Sequence, residues 1–562
     1  MKKEVVEVLK KAIQILGFEV GEEEIYKNLE VPPNLELGDC AFPCFFLAER
    51  FKESPNRIAI QIREKIGNAP LTDFEGVETQ GPYINFFINR KSFAKKVVWE
   101  IINQNKNYGK SNLGKNKKVV IEFSSPNIAK PFGIGHLRST IIGNSISNIL
   151  KFRGFKVIRI NYLGDWGAQF GKIIFGYKKF GSEKKIMKTP IKHLLDLYVK
   201  SSKKIYEKST REEFRKLEKG DKKNLLIWKL FRNLSIEEFK KSYKELGIKF
   251  DFWEGESDYI LKGKKVLENL KKKNLLKKSE GAYIVDLNKH NLGIALLEKS
   301  DETTLYATRD LAAAIARYKK HKFSKMIYEV GQEQVLYFKQ LFKILELLGY
   351  DFSKNCVHTP HGHYLDTSGK KLATRKGKIF FVEDILKETV ALAKKELLKR
   401  NPHLPEEQLE RKSKKIAIAA IFYGDLKNNR TNSMIFDLEK FLSFEGNTGP
   451  YLLYSYARAN SILQKAPPSK KFEVYDINLK ESKLVKELSQ FEEVVSRAAE
   501  TLNPSVIANY AHQIAQTFNE FYHDSKVIGS KQEAFRLTLV QSFKQVLKNS
   551  LKLLEIETLE EM

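Results

Sequence analysis

Two glycines, a histidine and an arginine stand close together in GIGHLRST (133–140), just after the Pro-bearing stretch SSPNIAKPF (124–132). Gly133 and Gly135 allow a ligand to approach the backbone closely, and the free N–H groups and dipole of a helix starting there favour an anion. His136 and Arg138 add hydrogen-bond donors. A nucleotide phosphate suits this equipment, although a Gly-x-Gly-His turn is also ordinary turn chemistry. The segment is neither GxGxxG nor GxxxxGK, so it supports neither a dinucleotide fingerprint nor a Walker loop. In EGNTGPYLLYSYAR (445–458), Tyr451, Tyr454 and Arg458 recur at spacings of three and four. That spacing gives one helix face two stacking rings and a cation, as unpaired bases require, and it equally suits core packing.

These residues need elements to hold them. KVVIEF (118–123) reads as a fully buried strand ending near Glu122, an apolar-periodic helix follows from His136 to about Phe152, and KVIRIN (156–161) is a second strand. Strand, Gly-containing loop, helix and strand form a βαβ unit of the nucleotide-binding type. A second α/β stretch comprises a helix over 303–321, a strand over 325–331 and a helix over 333–349. Tyr306 and Asp310, four residues apart, share a face of the first of these helices. Between the two stretches, residues 180–300 are Lys-rich and mostly helical, interrupted by strand signals such as AYIVDL (282–287), and read as an insertion. Before them come a helix ending at Gly17, strand-like runs over 60–90 and a polar linker over 105–118; beyond 385 nearly everything is amphipathic helix, with a surface break at Pro467 and Pro468.

The chain has 562 residues, enough for several hydrophobic cores, and 42% hydrophobic content excludes general disorder. Ninety-eight Lys and Arg against 69 Asp and Glu leave a net charge of +29. That favours a polyanionic partner such as nucleic acid, while a Lys-rich or heat-adapted surface would give the same balance. Cys40, Cys44 and Cys356 have no CxxC spacing, which supports neither a disulfide framework nor a zinc ribbon and points to a reducing compartment. The N-terminus mixes acids with apolar residues, unlike a secretory or transit signal, and no apolar run is long enough to span a membrane.

The segment 123–171, from FSSPNIAKPFGIGHLRST to NYLGDWGAQFG, resembles the nucleotide-binding half of class I arginyl-tRNA synthetases. The resemblance continues in YATRD (306–310), YEVGQEQ (328–334), LATRKG (372–377), EGNTGPYLLYSYAR (445–458) and LKLLEIETLE (551–560), in the family's order. It implies an ATP-dependent ligase that activates arginine to an adenylate and passes it to the terminal adenosine of tRNA(Arg), with Mg2+ accompanying ATP and with no protein-bound metal or organic cofactor. It also implies a cytoplasmic monomer with no membrane association. The implied fold is α/β: an α+β N-terminal domain (1–112) that contacts tRNA, a Rossmann-type catalytic core (113–385) carrying the insertion, and an all-helical anticodon-binding domain (386–562).

The resemblance also assigns residues. GIGH stands where the family carries HIGH, so that His136 donates to the nucleotide phosphates and Gly133 replaces the first histidine. LATR stands where class I enzymes carry KMSK; Leu372 replaces the first lysine, leaving Thr374 and Arg375 as phosphate partners, and Lys130 is the cation placed to supply the missing charge. Gly164, Asp165 and Gln169 of GDWGAQ match the turn beside adenosine, with Gly135 also on the ATP side. Glu122, Asn127, Tyr306, Asp310 and Gln334 match the arginine pocket, where carboxylates complement a planar guanidinium. Tyr83 and Asn85 match the domain that meets the tRNA elbow, and Tyr451, Tyr454 and Arg458 the anticodon-reading surface. Tyr337 stands where the family often has histidine. A non-catalytic RNA-binding paralogue, or a ligase for another amino acid, would share the fold; intact arginine-pocket positions argue against the first, and two carboxylates against the second.

Overall fold

The structure, a computed structural model, describes all residues except Met1, 33–34, 68–73, 299–305, 373–380, 468–471 and 475; the side chains of Lys3, Leu35 and Tyr306 also lie outside the described set. The chain divides into two compact units, Met1–Lys106 with Ile462–Ser489 and Gln516–Gln545, and Asn107–Ser461 with Gln490–Ala515 and Val546–Met562.

In the first unit, Tyr83–Ile88 is the middle strand of a three-stranded antiparallel sheet, between Cys40–Pro43 and Phe74–Gln80. Ile84 and Phe86 turn inward onto Val5, Leu9 and Ile13 of the helix Lys2–Ile15 and Ile58 and Ile62 of the helix Pro55–Ile66. Residues 60–66 therefore correct the sequence reading: they are helical, because Ile58, Ile62 and Ile66 keep a period of four that the apolar content alone does not reveal.

The second unit is built on a parallel sheet. We number its strands β1 (Lys118–Glu122), β2 (Lys156–Leu163), β3 (Phe252–Gly255), β4 (Lys325–Gly331) and β5 (Cys356–His361); they lie in the order β5-β4-β1-β2-β3. Val119, Val120 and Ile121 of β1 are at most 1% exposed, as expected for a strand covered on both faces. The helix Ile134–Phe152 links β1 to β2 and is buried almost all round; a side chain at Gly143 would run into Phe123. The stretch read as an insertion returns to the sheet once, since β3 pairs with β2 in register Ile160 to Phe252. The strand order reverses between β1 and β4, and the crevice above their C-terminal ends is where such sheets bind ligands. The unit also holds a three-stranded antiparallel sheet (Lys277–Ser279, Ala282–Asp286, Ile294–Glu298) and a two-stranded one (Tyr364–Leu365 with Met434–Ile435), and is otherwise mostly helical, including Val382–Arg400, Glu406–Leu426 and Gly449–Gln464.

Candidate active site

Immediately after β1 the backbone is strained. Ser124, Ser125 and Ala129 adopt φ of 74°, 46° and 58°, left-handed values that cost a non-glycine residue about 1–3 kcal/mol each. Side chains hold them there: Ser139 Oγ accepts from Ser124 N at 3.0 Å, and Ser235 Oγ accepts from Ala129 N at 2.9 Å. The strained path brings the Ser124 carbonyl to His136, 3.2 Å from Nδ1. A carbonyl only accepts, so Nδ1 carries the proton. Burial, with Lys130 nearby, lowers the pKa of His136, which leaves the ring neutral and its Nε2 a lone pair. The ring also stacks on Phe132 at 6.2 Å.

Gly133 caps the helix with no side-chain acceptor; its carbonyl takes His136 N at 2.9 Å, so the first turn is closed by backbone alone. Nothing lies within 4 Å of the place a Gly135 side chain would take, so protein packing does not demand this glycine and the space beside the helix start stays open. Lys130 rests its ammonium over Tyr198 at 5.9 Å. The residues on either side of the undescribed segment 373–380 converge on the same place: Leu372 N donates to Tyr364 O at 2.8 Å, and Phe381 bridges to Gly133 while Val382 N donates to Phe132 O at 2.9 Å. Thr374 and Arg375 lie outside the described residues.

On the neighbouring turn, Gly164 bridges Asn127, and a side chain at Gly164 would collide with the Asn127 amide oxygen. Asp165 is fully buried and committed: its carboxylate accepts from Ser257 N and Oγ at 2.9 and 2.8 Å and from Arg232 Nε at 2.8 Å. Gln169 Nε2 donates to Trp166 O at 3.4 Å, and Trp166 packs edge-on against Trp228 at 5.6 Å, a core aromatic.

Beyond β1 the structure gathers four carboxylates, Glu122, Glu254, Glu256 and Asp310, around two guanidiniums. Arg317 pairs with Glu122 and, at 2.9 Å, with Glu254, and lies over the Tyr162 ring at 4.8 Å. Arg309 pairs with Glu256 at 2.7 Å. Asp310 accepts a hydrogen bond from the Tyr337 hydroxyl, and among the described residues no cation forms an ion pair with it. Burial first, and then the neighbouring charges of Asp310 and Glu254, push Glu122 up to about 7 despite Arg317. Burial, Asp310 and Asp165 do the same to Glu256. Asp310 itself is raised, by burial. Two carboxylates thus exceed the resident cations, an arrangement that attracts a cationic ligand. Gln334 is exposed at the end of β4, and Tyr306 opens the helix Tyr306–His321 that carries Asp310.

Sequence reasoning missed Glu254, Glu256, Arg309 and Arg317. WEGES (253–257) did carry a signal, two carboxylates at i and i+2 where a strand ends. The arginines gave none, since their partners are up to 195 residues away in sequence.

The groups assigned to RNA sit elsewhere. On the helix Gly449–Gln464, Leu452, Leu453 and Tyr456 are buried, whereas Tyr454 is 36% exposed beneath the Arg458 guanidinium at 4.8 Å. Tyr451 meets the His512 ring at 5.6 Å. Tyr454 lines a cavity of about 410 Å³ with Phe444, Arg400, Gln408, Lys412 and Met562. Lys412 is 5% exposed. In the first unit, Tyr83 is half-buried with its ring against Phe45 at 5.8 Å, and Asn85 is buried under Gly38.

The models for the arginyl-tRNA synthetase N-terminal domain, the class I (R) tRNA synthetase catalytic domain and the DALR anticodon-binding domain match residues 1–88, 97–438 and 452–562. The chain belongs to the class I arginyl-tRNA synthetases. It is 44% identical to the arginine–tRNA ligase of Clostridium perfringens over 96% of this chain and 97% of that protein, and 44% identical to that of Enterococcus faecalis over 99% of each. The arginyl-tRNA synthetase of Plasmodium falciparum superposes with a TM-score of 0.82 at 25% identity, covering 100% of this chain and 99% of that one. The Thermus thermophilus arginyl-tRNA synthetase has the same fold, with a TM-score of 0.83 at 23% identity over the full length of both chains. These findings leave a non-catalytic reading of this synthetase without support. No helix among its described residues is long and apolar enough to cross a membrane.

Proposed function

We propose that this arginyl-tRNA synthetase joins arginine to AMP in the crevice above β1 and β4, and that Asp310 is the carboxylate that takes the substrate guanidinium. The supporting observation is the charge imbalance: Arg317 and Arg309 occupy Glu122, Glu254 and Glu256, and Asp310 is left with a phenol. Glu256, whose raised pKa registers the charge of Asp310, is the second carboxylate near the guanidinium. Glu122, fixed by Arg317, supplies negative potential for the α-ammonium group, with Asn127, Gln334 and Tyr306 completing the pocket. Tyr337 aims Asp310 through its hydroxyl.

ATP, accompanied by Mg2+, lies with its phosphates at the uncapped start of the helix Ile134–Phe152, over Gly133 and Gly135. The arginine carboxylate attacks the α-phosphorus and pyrophosphate leaves, so negative charge moves onto the bridging and leaving oxygens. Lys130 and Arg375 offset it as preorganised cations and Thr374 as a hydroxyl donor. His136 Nε2 becomes a donor by taking a proton as phosphate charge arrives. Gly164 and Gln169 border adenosine, and Asp165 acts by holding that turn rather than by contact. Arginine then passes to the terminal adenosine of tRNA(Arg), whose anticodon stacks on Tyr451 and Tyr454 beside Arg458, with Lys412 waiting in the adjoining cavity. Tyr83 lies toward the tRNA elbow; Asn85, being buried, supports that surface from beneath. Three free, buried thiols fit an enzyme working in a reducing cytoplasm, where we take it to act as a monomer.

Pyrophosphate exchange with each amino acid in turn, with and without tRNA, tests the reading. Exchange confined to arginine and weakened in Asp310→Asn through a higher KM for arginine supports it; unchanged arginine dependence in that variant overturns the pocket.

A further inference from the structure

The inserted helix Lys222–Glu245 lays one face along both nucleotide-side turns. Trp228 and Arg232 hold Asp165, Ser235 holds Ala129, and Tyr243 reaches Ser124, at spacings that form one helical stripe. Tyr243 is 2% exposed, with Phe132, Phe250 and Trp253 around its ring at 5.0, 4.9 and 5.7 Å.

Its hydroxyl sits in a directed chain. Asn161 Nδ2 donates to Tyr243 Oη at 3.1 Å, so the phenolic proton goes to Ser124 Oγ, 2.5 Å away. Thr140 Oγ1 lies 2.7 Å from Ser124 Oγ and 2.6 Å from the His136 carbonyl oxygen. Thr140 Oγ1 is the donor in both contacts, its one proton shared between Ser124 Oγ and the His136 carbonyl oxygen. Ser124 Oγ is therefore held from two sides, by Tyr243, itself fixed by Asn161, and by Thr140, which also binds the His136 backbone. The His136 ring closes the circuit by donating from Nδ1 to Ser124 O at 3.2 Å. Ser124 serves both ends while held at φ 74°.

We propose that Tyr243 is a positioning residue for adenylate formation: through Ser124 it fixes the ring and tautomer of His136, so that Nε2 is the nitrogen presented to the phosphate. This rests on His136 being a phosphate contact, as proposed above. The inserted helix is thereby part of the activation machinery as well as a flank of the sheet.

Tyr243→Phe removes one oxygen and keeps the ring among its aromatic neighbours. It is expected to lower kcat for pyrophosphate exchange about tenfold, with KM for ATP and arginine unchanged and the melting temperature little altered, the pattern of an interaction realised in the transition state. Ser124→Ala, which cuts the same link from the other side, gives the same split. In a His136→Ala background Tyr243→Phe costs nothing further, because the residue it acts through is gone. Wild-type turnover in both Tyr243→Phe and Ser124→Ala, or a Tyr243→Phe loss of the same size in both backgrounds, overturns the proposal; the second result would mark Tyr243 as packing only. If His136→Ala itself leaves exchange unchanged, the phosphate-contact reading fails, and this inference with it.

Discussion

Asp310 and Arg317 stand seven residues apart on one helix, and only one of them is already paired with an opposite charge. Arg317 discharges the sheet's own Glu122 and Glu254, while Asp310 meets the Tyr337 hydroxyl. A site built to hydrogen-bond a polar group rejects ligands that leave it unpaired. Asp310→Asn is therefore expected to raise the KM for arginine at least about tenfold, ~1.4 kcal/mol, with little change for ATP. Steady-state exchange kinetics with each substrate varied in turn check it.

Arg317 should behave as a structural cation. Arg317→Leu strands two buried carboxylates, and breaking such a pair destabilises by about 3–5 kcal/mol. Urea unfolding should show that loss, and adding Glu122→Gln to Arg317→Leu should recover part of it. No loss in the single variant would mean that Glu122 and Glu254 are already protonated in the folded protein.

The raised carboxylates fix a pH dependence. Glu122 and Glu256 titrate at about 7 when the site is empty, against 4.5 ordinarily. The folded form then holds more protons than the unfolded chain between those values, so their contribution to stability falls as pH rises through that window and levels off above it. A bound guanidinium favours the charged forms, so arginine binding near pH 6.5 should release on the order of one proton. Calorimetry in buffers of different ionisation enthalpy measures it. Affinity for arginine should weaken as pH falls below about 7.

Gly135 separates folding from function. Its backbone is ordinary and an added methyl group meets nothing, so Gly135→Ala should keep or raise stability, by up to about 1 kcal/mol for a helical position. The same methyl group fills the space assigned to ATP. A raised KM for ATP at unchanged thermal stability is the expected result; normal ATP kinetics would move the nucleotide away from this helix start.

At the helix proposed to face RNA, charge and stacking should come apart. Tyr454→Ala is expected to cost about 1–3 kcal/mol in tRNA affinity with the salt dependence intact, since a ring releases no counterions. Lys412→Met should instead lower the slope of log K against log salt by about one unit if its ammonium meets a phosphate. Filter binding over a salt series, with cognate and non-cognate tRNA, distinguishes the two.

Much of this could be read from the sequence where one local pattern forces one structure. Three consecutive apolar β-branched residues in KVVIEF make a buried strand, and GIGH after it makes a helix start over an open sheet end. The charge network could not be read that way. Arg317 looks like any arginine on an Ala-rich helix until the sheet brings Glu122 and Glu254 to it. Nor do Ser124, Ser125 and Ala129 announce left-handed backbone, which sequence reasoning ascribes to glycine. Such conformations are imposed by Ser139, Ser235 and Tyr243, which reach the loop from other elements.

Gly164 and Asn127 fit together only because one lacks what the other would strike. In the proposed site Gly164 belongs to the turn beside the nucleotide, and Asn127 to the amino-acid side. A lesion at the glycine should therefore surface as poor handling of arginine, with its symptom on the opposite side of the crevice from its cause. Mutational maps that sort residues by the substrate whose kinetics change would file it under the wrong ligand. On that proposal the boundary between the two substrate sites is the width of one missing methyl group.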